Sequence, residues 1–132
     1  MNIRQEYPPI IDQIAAVFPE ARGSTVVFSW GDTIYSPGSK ILAPEILKHE
    51  EAHGKRQLEF GVEKWWEEYL KNYEFRLAEE VIGHRAEYRD LCRQSADRNR
   101  RNLYLINVSS KLASPLYGNM VTLKEAQKLI RS

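Results

Sequence analysis

The feature that most constrains the fold is a long run of apolar side chains at helical spacing after Gly61. They form two successive stripes, the first made of Val62, Trp65, Trp66, Tyr69, Leu70 and Tyr73, and the second of Leu77, Val81, His84, Tyr88 and Leu91. Such spacing marks the buried face of a helix. Asn72 stands between the stripes and predicts a break between two helices, so other elements of the chain must cover both faces.

Helical spacing also occurs in four shorter segments. Apolar residues from Ile10 to Phe18 predict a packing helix that ends before Pro19, and Pro44 suits the first turn of a helix that runs to about Leu58. Residues 103–112 have an amphipathic pattern, preceded by a polar, arginine-rich connection. Thr122 followed by Glu125 resembles a capping box for a final helix over 123–130.

One segment has the composition of strands. Two β-rich runs, 26–30 and 33–35, are joined by Gly31-Asp32, which predicts a β-hairpin with a two-residue loop. The turn Ser36-Pro37-Gly38-Ser39 follows, and residues 40–42 are expected to be extended. We therefore predict an α+β fold that is mainly helical, with a small hairpin, as one domain over residues 1–132.

Composition excludes several functional classes. The 132 residues carry 19 basic and 18 acidic side chains, and the net charge of +1 provides no general attraction for nucleic acid or an anionic membrane. The apolar runs are too short to span a bilayer, and the amino terminus lacks the apolar segment of a signal peptide. With the single cysteine Cys92, which excludes an internal disulfide, these features predict a cytoplasmic protein.

The chemical signal lies in His49-Glu50-Glu51-Ala52-His53, which fits H-E-x-x-H within the helix predicted from Pro44. Positions i and i+4 lie on one helix face, so His49 and His53 can bind one ion, and this spacing is typical of zinc. Glu50 stays on the same side and can serve as the general base that accepts a proton from water, whereas Glu51 points away. The alternative interpretation is an exposed helix with two surface histidines.

A catalytic zinc site needs a third protein ligand. Arg56 and Glu59 occupy the positions where the metzincin pattern requires Gly and His, which excludes that class. On the second apolar stripe, Glu80 borders the buried face and is the expected third ligand, whereas Glu79 falls on the opposite face and is expected in solvent. Glu87 is the substitute ligand. His84 is either a fourth contact, an outer hydrogen-bond donor or a core residue.

These residues resemble the gluzincins, zinc peptidases in which a glutamate on a later helix completes H-E-x-x-H. The closer resemblance is to small metallopeptidase-like proteins of bacteria and phages, and it spans residues 26–117. It is carried by the hairpin, the motif helix, Trp65-Trp66-Glu67-Glu68-Tyr69, Phe75-Arg76 and an E-x-E-A-Y-like segment that here reads Glu80-Val81-Ile82-Gly83-His84. The second acidic residue and the aromatic residue of that segment are missing.

The resemblance implies a zincin-like domain with the hairpin packed over the motif helix. It implies His49, His53 and Glu80 as ligands of Zn²⁺, Glu50 as base, and a peptide or protein as substrate. An edge strand would hold the peptide through main-chain hydrogen bonds, and Thr33–Tyr35 is the expected edge.

Tyr117, Gln57 and an aromatic cluster lie outside the motif and also have predicted roles or positions. Tyr117, in a turn-like loop, is a candidate for stabilising an oxyanion. Gln57 is either an outer partner of the metal site or a surface amide. The aromatic cluster of Trp65, Trp66, Tyr69 and Tyr73 is expected in the core.

The sequence thus predicts a zinc metallopeptidase in the cytoplasm of a bacterium or a phage-infected host. The alternative is a non-catalytic protein that keeps the zincin scaffold as a binding or structural module, for example in a phage assembly. Nucleic-acid binding is the least supported class, and it would use the arginines at positions 85, 89, 93, 98, 100 and 101. The same ligands also bind Mn, Co or Ni.

Overall fold

Helices form most of the structure, as the apolar stripes predict. A computed structural model describes residues 2–132 of the chain. Its helices are α1 (Ile11–Val17), α2 (Pro44–Phe60), α3 (Val62–Lys71), α4 (Tyr73–Arg93), α5 (Arg98–Leu112) and α6 (Leu123–Arg131). Its strands are β1 (Asn2–Arg4), β2 (Phe28–Trp30) and β3 (Thr33–Tyr35). The α+β class is therefore confirmed.

The local signals at the helix ends work as predicted. Pro44 occupies the first turn of α2, where the missing N–H has no intrahelical partner to lose. The Asn72 side chain separates α3 from α4 and accepts a hydrogen bond from the backbone N–H of Phe75 at 3.2 Å. Thr122 and Glu125 form the expected capping box at the start of α6.

The sheet contains one strand that the sequence did not reveal. Its order is β1-β3-β2, with β1 parallel to β3 and β2 antiparallel to it. The hairpin is confirmed, and Gly31, at φ 64°, adopts the left-handed backbone that its turn requires. The prediction that Thr33–Tyr35 is an edge strand is wrong, because β1 pairs with its outer side. The hairpin strand with a free edge is β2, which packs against α2.

Two further boundaries differ from the predictions. Helix α5 begins at Arg98, five residues before the predicted start, because the Asp97 side chain caps it by accepting from the N–H of Asn99 at 2.9 Å. Arginine is also a good helix former, so the polar composition of this segment does not prevent a helix. Residues 40–42, which were expected to be extended, form no strand.

The core consists of two apolar clusters. The first joins α1, β2, β3 and α3 and includes Trp65, Trp66 and Tyr69, which confirms their place in the core, whereas Tyr73 is 49% exposed. The second joins α4, α5 and α6. Helix α4 therefore contacts neighbours on two sides. Among residues 2–132, the structure contains no helix with the length and apolar character needed to cross a membrane.

Candidate metal centre

Helices α2 and α4 bring the three predicted ligands to one point. His49 and His53 lie one turn apart on α2, and Glu80 faces them from α4. The two Nε2 atoms are 3.0 Å apart, Glu80 Oε1 is 3.3 Å from His49 Nε2, and Glu80 Oε2 is 3.2 Å from His53 Nε2. All three side chains are buried. This group can therefore hold a metal ion.

The spacing of these atoms fits tetrahedral zinc coordination. With metal–ligand distances of about 2.0–2.1 Å, neighbouring ligands of a tetrahedron lie about 3.3–3.4 Å apart. The observed separation of the two Nε2 atoms is 3.0 Å, and each of them lies 3.2–3.3 Å from a different oxygen of the Glu80 carboxylate, so all four atoms are within reach of one ion. In addition, buried Glu80 Oε1 has no hydrogen-bond partner among the described residues, and such an atom is costly unless something else satisfies it. A cation at this point would satisfy it.

Gly83 keeps the space beside the ligands open. A Cβ atom at this position would lie 2.8 Å from His53 Nε2 and 2.9 Å from His49 Nε2. Both distances are shorter than side-chain contacts allow, so a larger residue would displace the imidazoles. Glycine in the middle of a helix costs about 0.5–1 kcal/mol relative to alanine. The close approach of α4 to the histidines explains why glycine stands there.

Outer hydrogen bonds orient two of the ligands. Glu87 Oε1 lies 3.0 Å from His49 Nδ1, and Lys111 from α5 donates to Glu87 Oε2 at 2.5 Å. The Tyr69 hydroxyl donates to Glu80 Oε2 at 2.7 Å. Such partners fix the tautomer and direction of the groups that bind a metal. From the sequence, Glu87 was predicted only as a substitute ligand and Lys111 had no predicted role. Their contacts join separate helices and depend on how those helices pack.

A second group, His49, His84 and Glu87, can also hold an ion. Glu87 Oε1 lies between His49 Nδ1 and His84 Nδ1, at 3.0 and 3.1 Å. However, the Lys111 ammonium already pairs with Glu87, and a second cation there would be repelled. The same distances are those of hydrogen bonds from two ring N–H groups to one carboxylate. The group with His53 and Glu80 is therefore the better candidate for a metal site, and Glu87 contacts it from outside.

Glu50 stands beside the donor atoms. Its Oε2 lies 3.8 Å from His49 Nε2, and its Oε1 accepts a hydrogen bond from the Ser29 hydroxyl on β2 at 2.6 Å. Burial raises the pKa of Glu50, although the neighbouring histidines and the Ser29 hydrogen bond oppose the shift. A carboxyl group with a raised pKa is suited to take up and return a proton near neutral pH. Glu51, in contrast, is exposed as predicted.

The solvent position predicted for Glu79 is wrong. The side chain is only 1% exposed, accepts a hydrogen bond from Trp65 Nε1 at 2.8 Å, and pairs with Arg56 at 3.0 Å. The helical periodicity of α4 showed one apolar face, but α2 and α3 cover a second face that carries this carboxylate. Trp65 in turn packs against His53, with ring centroids 5.4 Å apart. Glu79 thus holds Trp65 in place, and Trp65 packs against His53, one of the predicted ligands.

Gln57 fulfils neither of its predicted roles. It is fully buried, accepts a hydrogen bond from the backbone N–H of Gly31 at 2.7 Å, and donates to the Ser29 carbonyl at 3.1 Å. It therefore joins α2 to the hairpin. Because Ser29 also contacts Glu50, this connection sets the position of the strand above the motif helix.

Tyr117 lies in the wall of the same cavity as the metal ligands. It belongs to a short 3-10 turn, Pro115–Tyr117, and its ring packs against His84 with centroids 5.6 Å apart. Burial, with the nearby charges of Glu80 and Glu50, raises the pKa of Tyr117 well above its usual range. The phenol is therefore protonated and can donate a hydrogen bond. The cavity has a volume of about 340 Å³.

Replacing Glu87 by Gln should weaken zinc binding by about 10–100-fold, the usual effect of removing an outer carboxylate partner. The amide keeps the size of the side chain but loses the charge that holds His49 and Lys111. The measurement is the zinc dissociation constant, by competition with a chromophoric chelator. Glu63→Gln, on exposed α3 surface, is the control. Equal affinities for the parent and Glu87→Gln would contradict the supporting role.

The metal-free protein should lose stability as pH rises. Burial alone would lower the pKa of His49, but the neighbouring carboxylates of Glu80 and Glu87 outweigh it and raise the pKa from 6.5 to about 10. The folded state thus holds this proton more tightly, and the resulting stabilisation is complete below pH 6.5 and disappears towards pH 10. Denaturant unfolding in chelator should show this decrease, and His49→Gln should lack it. The same decrease in both proteins would refute the assignment.

Comparison with known proteins adds no relative to this description. No protein-family model matches the chain, and neither the curated proteins nor the solved structures gave a significant match. The resemblance to gluzincins therefore stays a prediction from the motif residues.

Proposed function

We propose that this protein is a zinc-dependent metallopeptidase in which His49, His53 and Glu80 hold the ion and Glu50 is the general base. The observation that carries the proposal is the convergence of three buried side chains whose nearest nitrogen and oxygen atoms lie 3.0–3.3 Å apart, with a second acidic side chain, Glu50, beside them. Three protein ligands next to a cavity are typical of catalytic zinc, whereas structural zinc is held by four. The motif followed by a glutamate on a later helix resembles gluzincins.

The residues of the chain supply the proton transfers of peptide hydrolysis. A bound Zn²⁺ ion would polarise the peptide carbonyl and lower the pKa of water to about 7. Glu50 accepts the proton that water loses as its oxygen bonds to the carbonyl carbon. It then gives this proton to the amine nitrogen as the C–N bond breaks. The Ser29 hydroxyl, bonded to Glu50 Oε1, orients the carboxyl and leaves Oε2 towards His49.

Tyr117 can assist at the carbonyl oxygen. Because its pKa lies well above neutral pH, its hydroxyl keeps the proton that it would donate. A donor directed at an oxygen that gains negative charge contributes most in a buried site, where water does not compete. We assign Tyr117 this stabilising role.

The alternative function is a binding or structural module that keeps the scaffold without catalysis. The position of the donor atoms favours catalysis over this alternative, because they line a cavity of about 340 Å³ together with Glu50 and Tyr117. A module that used metal only to stabilise its fold would not need a buried carboxyl group with a raised pKa beside the ligands.

The proposal is tested by cleavage of an unstructured protein such as casein. We expect the zinc-loaded chain to cleave it, chelator to stop the reaction, and added Zn²⁺ to restore it. His49→Ala should lose both zinc and activity, whereas Lys48→Ala, an exposed neighbour, should keep both. A protein that binds one equivalent of zinc but cleaves neither casein nor a peptide library would contradict the proposal and support the non-catalytic alternative.

A further inference from the structure

A second cleft, separate from the cavity of the candidate metal centre, lies between the end of α4 and the start of α5. Arg89, Arg93 and Arg101 line it together with Tyr88 and Cys92, and its volume is about 350 Å³. None of these residues lines the cavity of the metal ligands. Three guanidinium groups around one opening attract an anion, because arginine stays protonated in proteins. The chemistry proposed above gives this cleft no role.

Hydrogen bonds to the backbone orient one of these guanidinium groups. Arg101 Nε donates to the Ser95 carbonyl at 2.6 Å, and Arg101 Nη2 donates to the Cys92 carbonyl at 2.8 Å. Both carbonyls lie at the C-terminal end of α4 or just beyond it. A carbonyl has no net charge, so the guanidinium is held in place while its positive charge stays uncompensated. A side chain that is already ordered loses less entropy when it binds a ligand.

Few acidic side chains offset the arginines of this region. Residues 88–101 contain five arginines, two aspartates and no lysine or glutamate. Asp97 caps α5, and Asp90 pairs with Arg93 at 3.6 Å. Among residues 2–132, no carboxylate lies within ion-pair distance of Arg89 or Arg101. Because the whole chain has a net charge of only +1, positive charge is concentrated around this cleft.

The first turn of α5 adds positive charge where a helix disfavours it. Arg98, Arg100 and Arg101 lie in this turn, which contains no acidic residue. The N-terminal end of a helix carries partial positive charge, so cations are unfavourable there and anions are favourable. These arginines therefore repel one another and the helix end in the free protein, and a bound anion would remove that repulsion.

The chemistry of the cleft favours a nucleic-acid strand over a membrane surface. Guanidinium groups bind phosphate through two parallel hydrogen bonds, and arginine is the preferred cation where nucleic acid is recognised. Tyr88, in the lining, supplies an aromatic ring on which a base can stack. The cleft is recessed between two helices, so a single strand can enter it, whereas a flat lipid surface meets only its rim.

We propose that the cleft between α4 and α5 binds single-stranded nucleic acid, with Arg89, Arg93 and Arg101 on its phosphates and Tyr88 beside a base. This inference does not depend on the proposed peptidase function. From the sequence, nucleic-acid binding was the least supported class, because the net charge provides no general attraction. The fold gathers three of the arginines around one opening, and this local grouping is what the proposal uses.

The test measures the fluorescence anisotropy of a labelled oligo(dT) of about 20 nucleotides with the full chain. The dissociation constant should be about 1–100 μM at physiological salt, the range of sequence-independent binding. The affinity for a single strand falls with salt with a logarithmic slope of about −0.7 per phosphate contact. Three contacts therefore predict a decrease of about 20-fold between about 50 and 200 mM salt.

Variants with a matched loss of charge show where the strand binds. Arg89→Gln/Arg93→Gln removes two exposed cations from the cleft and should weaken binding at least about tenfold, with a smaller salt slope. Lys55→Gln/Lys64→Gln removes the same charge from exposed positions of α2 and α3 and should change affinity by less than about twofold. Circular dichroism checks the fold of both proteins. Arg89→Gln alone is the second cleft variant if the double variant does not fold.

A DNA duplex of the same length and vesicles of phosphatidylserine and phosphatidylcholine are measured alongside. Salt-dependent binding of oligo(dT) that the cleft variant loses and the control keeps would support the proposal. No binding of oligo(dT) at low salt, or equal weakening in the cleft and control variants, would overturn it. Tighter binding of the duplex or the vesicles than of oligo(dT) would also overturn it. None of these results depends on peptide cleavage or zinc content, so the peptidase proposal is tested separately.

Discussion

Replacing Glu50 by Gln should lower peptide cleavage by at least about 100-fold while the protein keeps its zinc. General acid–base catalysis contributes about 10²–10⁴-fold, and the amide cannot accept the proton from water or return it to the amine. Gln has the size of Glu, and its carbonyl oxygen can still accept the Ser29 hydrogen bond that now reaches Oε1. The fold and the metal ligands should therefore be retained.

The matched control is Glu51→Gln, which makes the same change at the next residue of α2. Glu51 is exposed and pairs with Lys48 at 3.7 Å, so its loss should leave activity within about twofold. The measurements are the cleavage rate and the zinc content of the three proteins. If Glu50→Gln cleaves as fast as the parent, Glu50 is not the base. If both variants are equally inactive, a change of charge on the helix is the cause.

Gly83→Ala should abolish zinc binding without removing a ligand. The added Cβ would lie 2.8 and 2.9 Å from the two Nε2 atoms, closer than Cβ atoms come to other side chains, so the imidazoles or α4 must shift. The loss of affinity should exceed the 10–100-fold that follows removal of an outer hydrogen bond. Because Ala favours helix over Gly by about 1 kcal/mol, α4 itself should not be weakened.

Gly54→Ala is the control for this prediction. It makes the same substitution on the other helix that carries ligands, at a buried position one residue after His53. Zinc dissociation constants and circular dichroism of the three proteins are the measurements. Stoichiometric zinc bound by folded Gly83→Ala with the affinity of the parent would show that the ion does not lie between the two histidines.

The sequence predicts the centre of this site well because its geometry is local. The four-residue spacing of His49 and His53 places both rings on one face of α2, and the apolar stripe of α4 turns Glu80 towards them. Helix periodicity gives the shared face of the two histidines and the inward side of Glu80, whereas the meeting of α4 with α2 depends on how the helices pack. Pro44, Asn72 and Thr122 mark the starts of α2, α4 and α6, and each is recognised from its immediate neighbours in the sequence.

The residues that support the site are not predictable in this way. Glu79 is buried because α2 and α3 cover a second face of α4, and an amphipathic pattern reports only the apolar face. Lys111 meets Glu87 across the packed faces of α4 and α5, 24 residues apart in sequence. Strand β1 has three residues and no distinctive pattern, so the central position of β3 follows only from tertiary pairing. These contacts depend on how the elements pack together.

X-ray absorption spectroscopy at the zinc edge, on protein loaded with one equivalent of Zn²⁺, together with an anomalous difference map from crystals, shows where the ion binds. We expect one ion, at about 2.0–2.2 Å from the imidazole nitrogens of His49 and His53 and a carboxylate oxygen of Glu80. A protein that takes up no ion under any loading condition would contradict it. So would an ion held elsewhere, with these three side chains outside its coordination sphere.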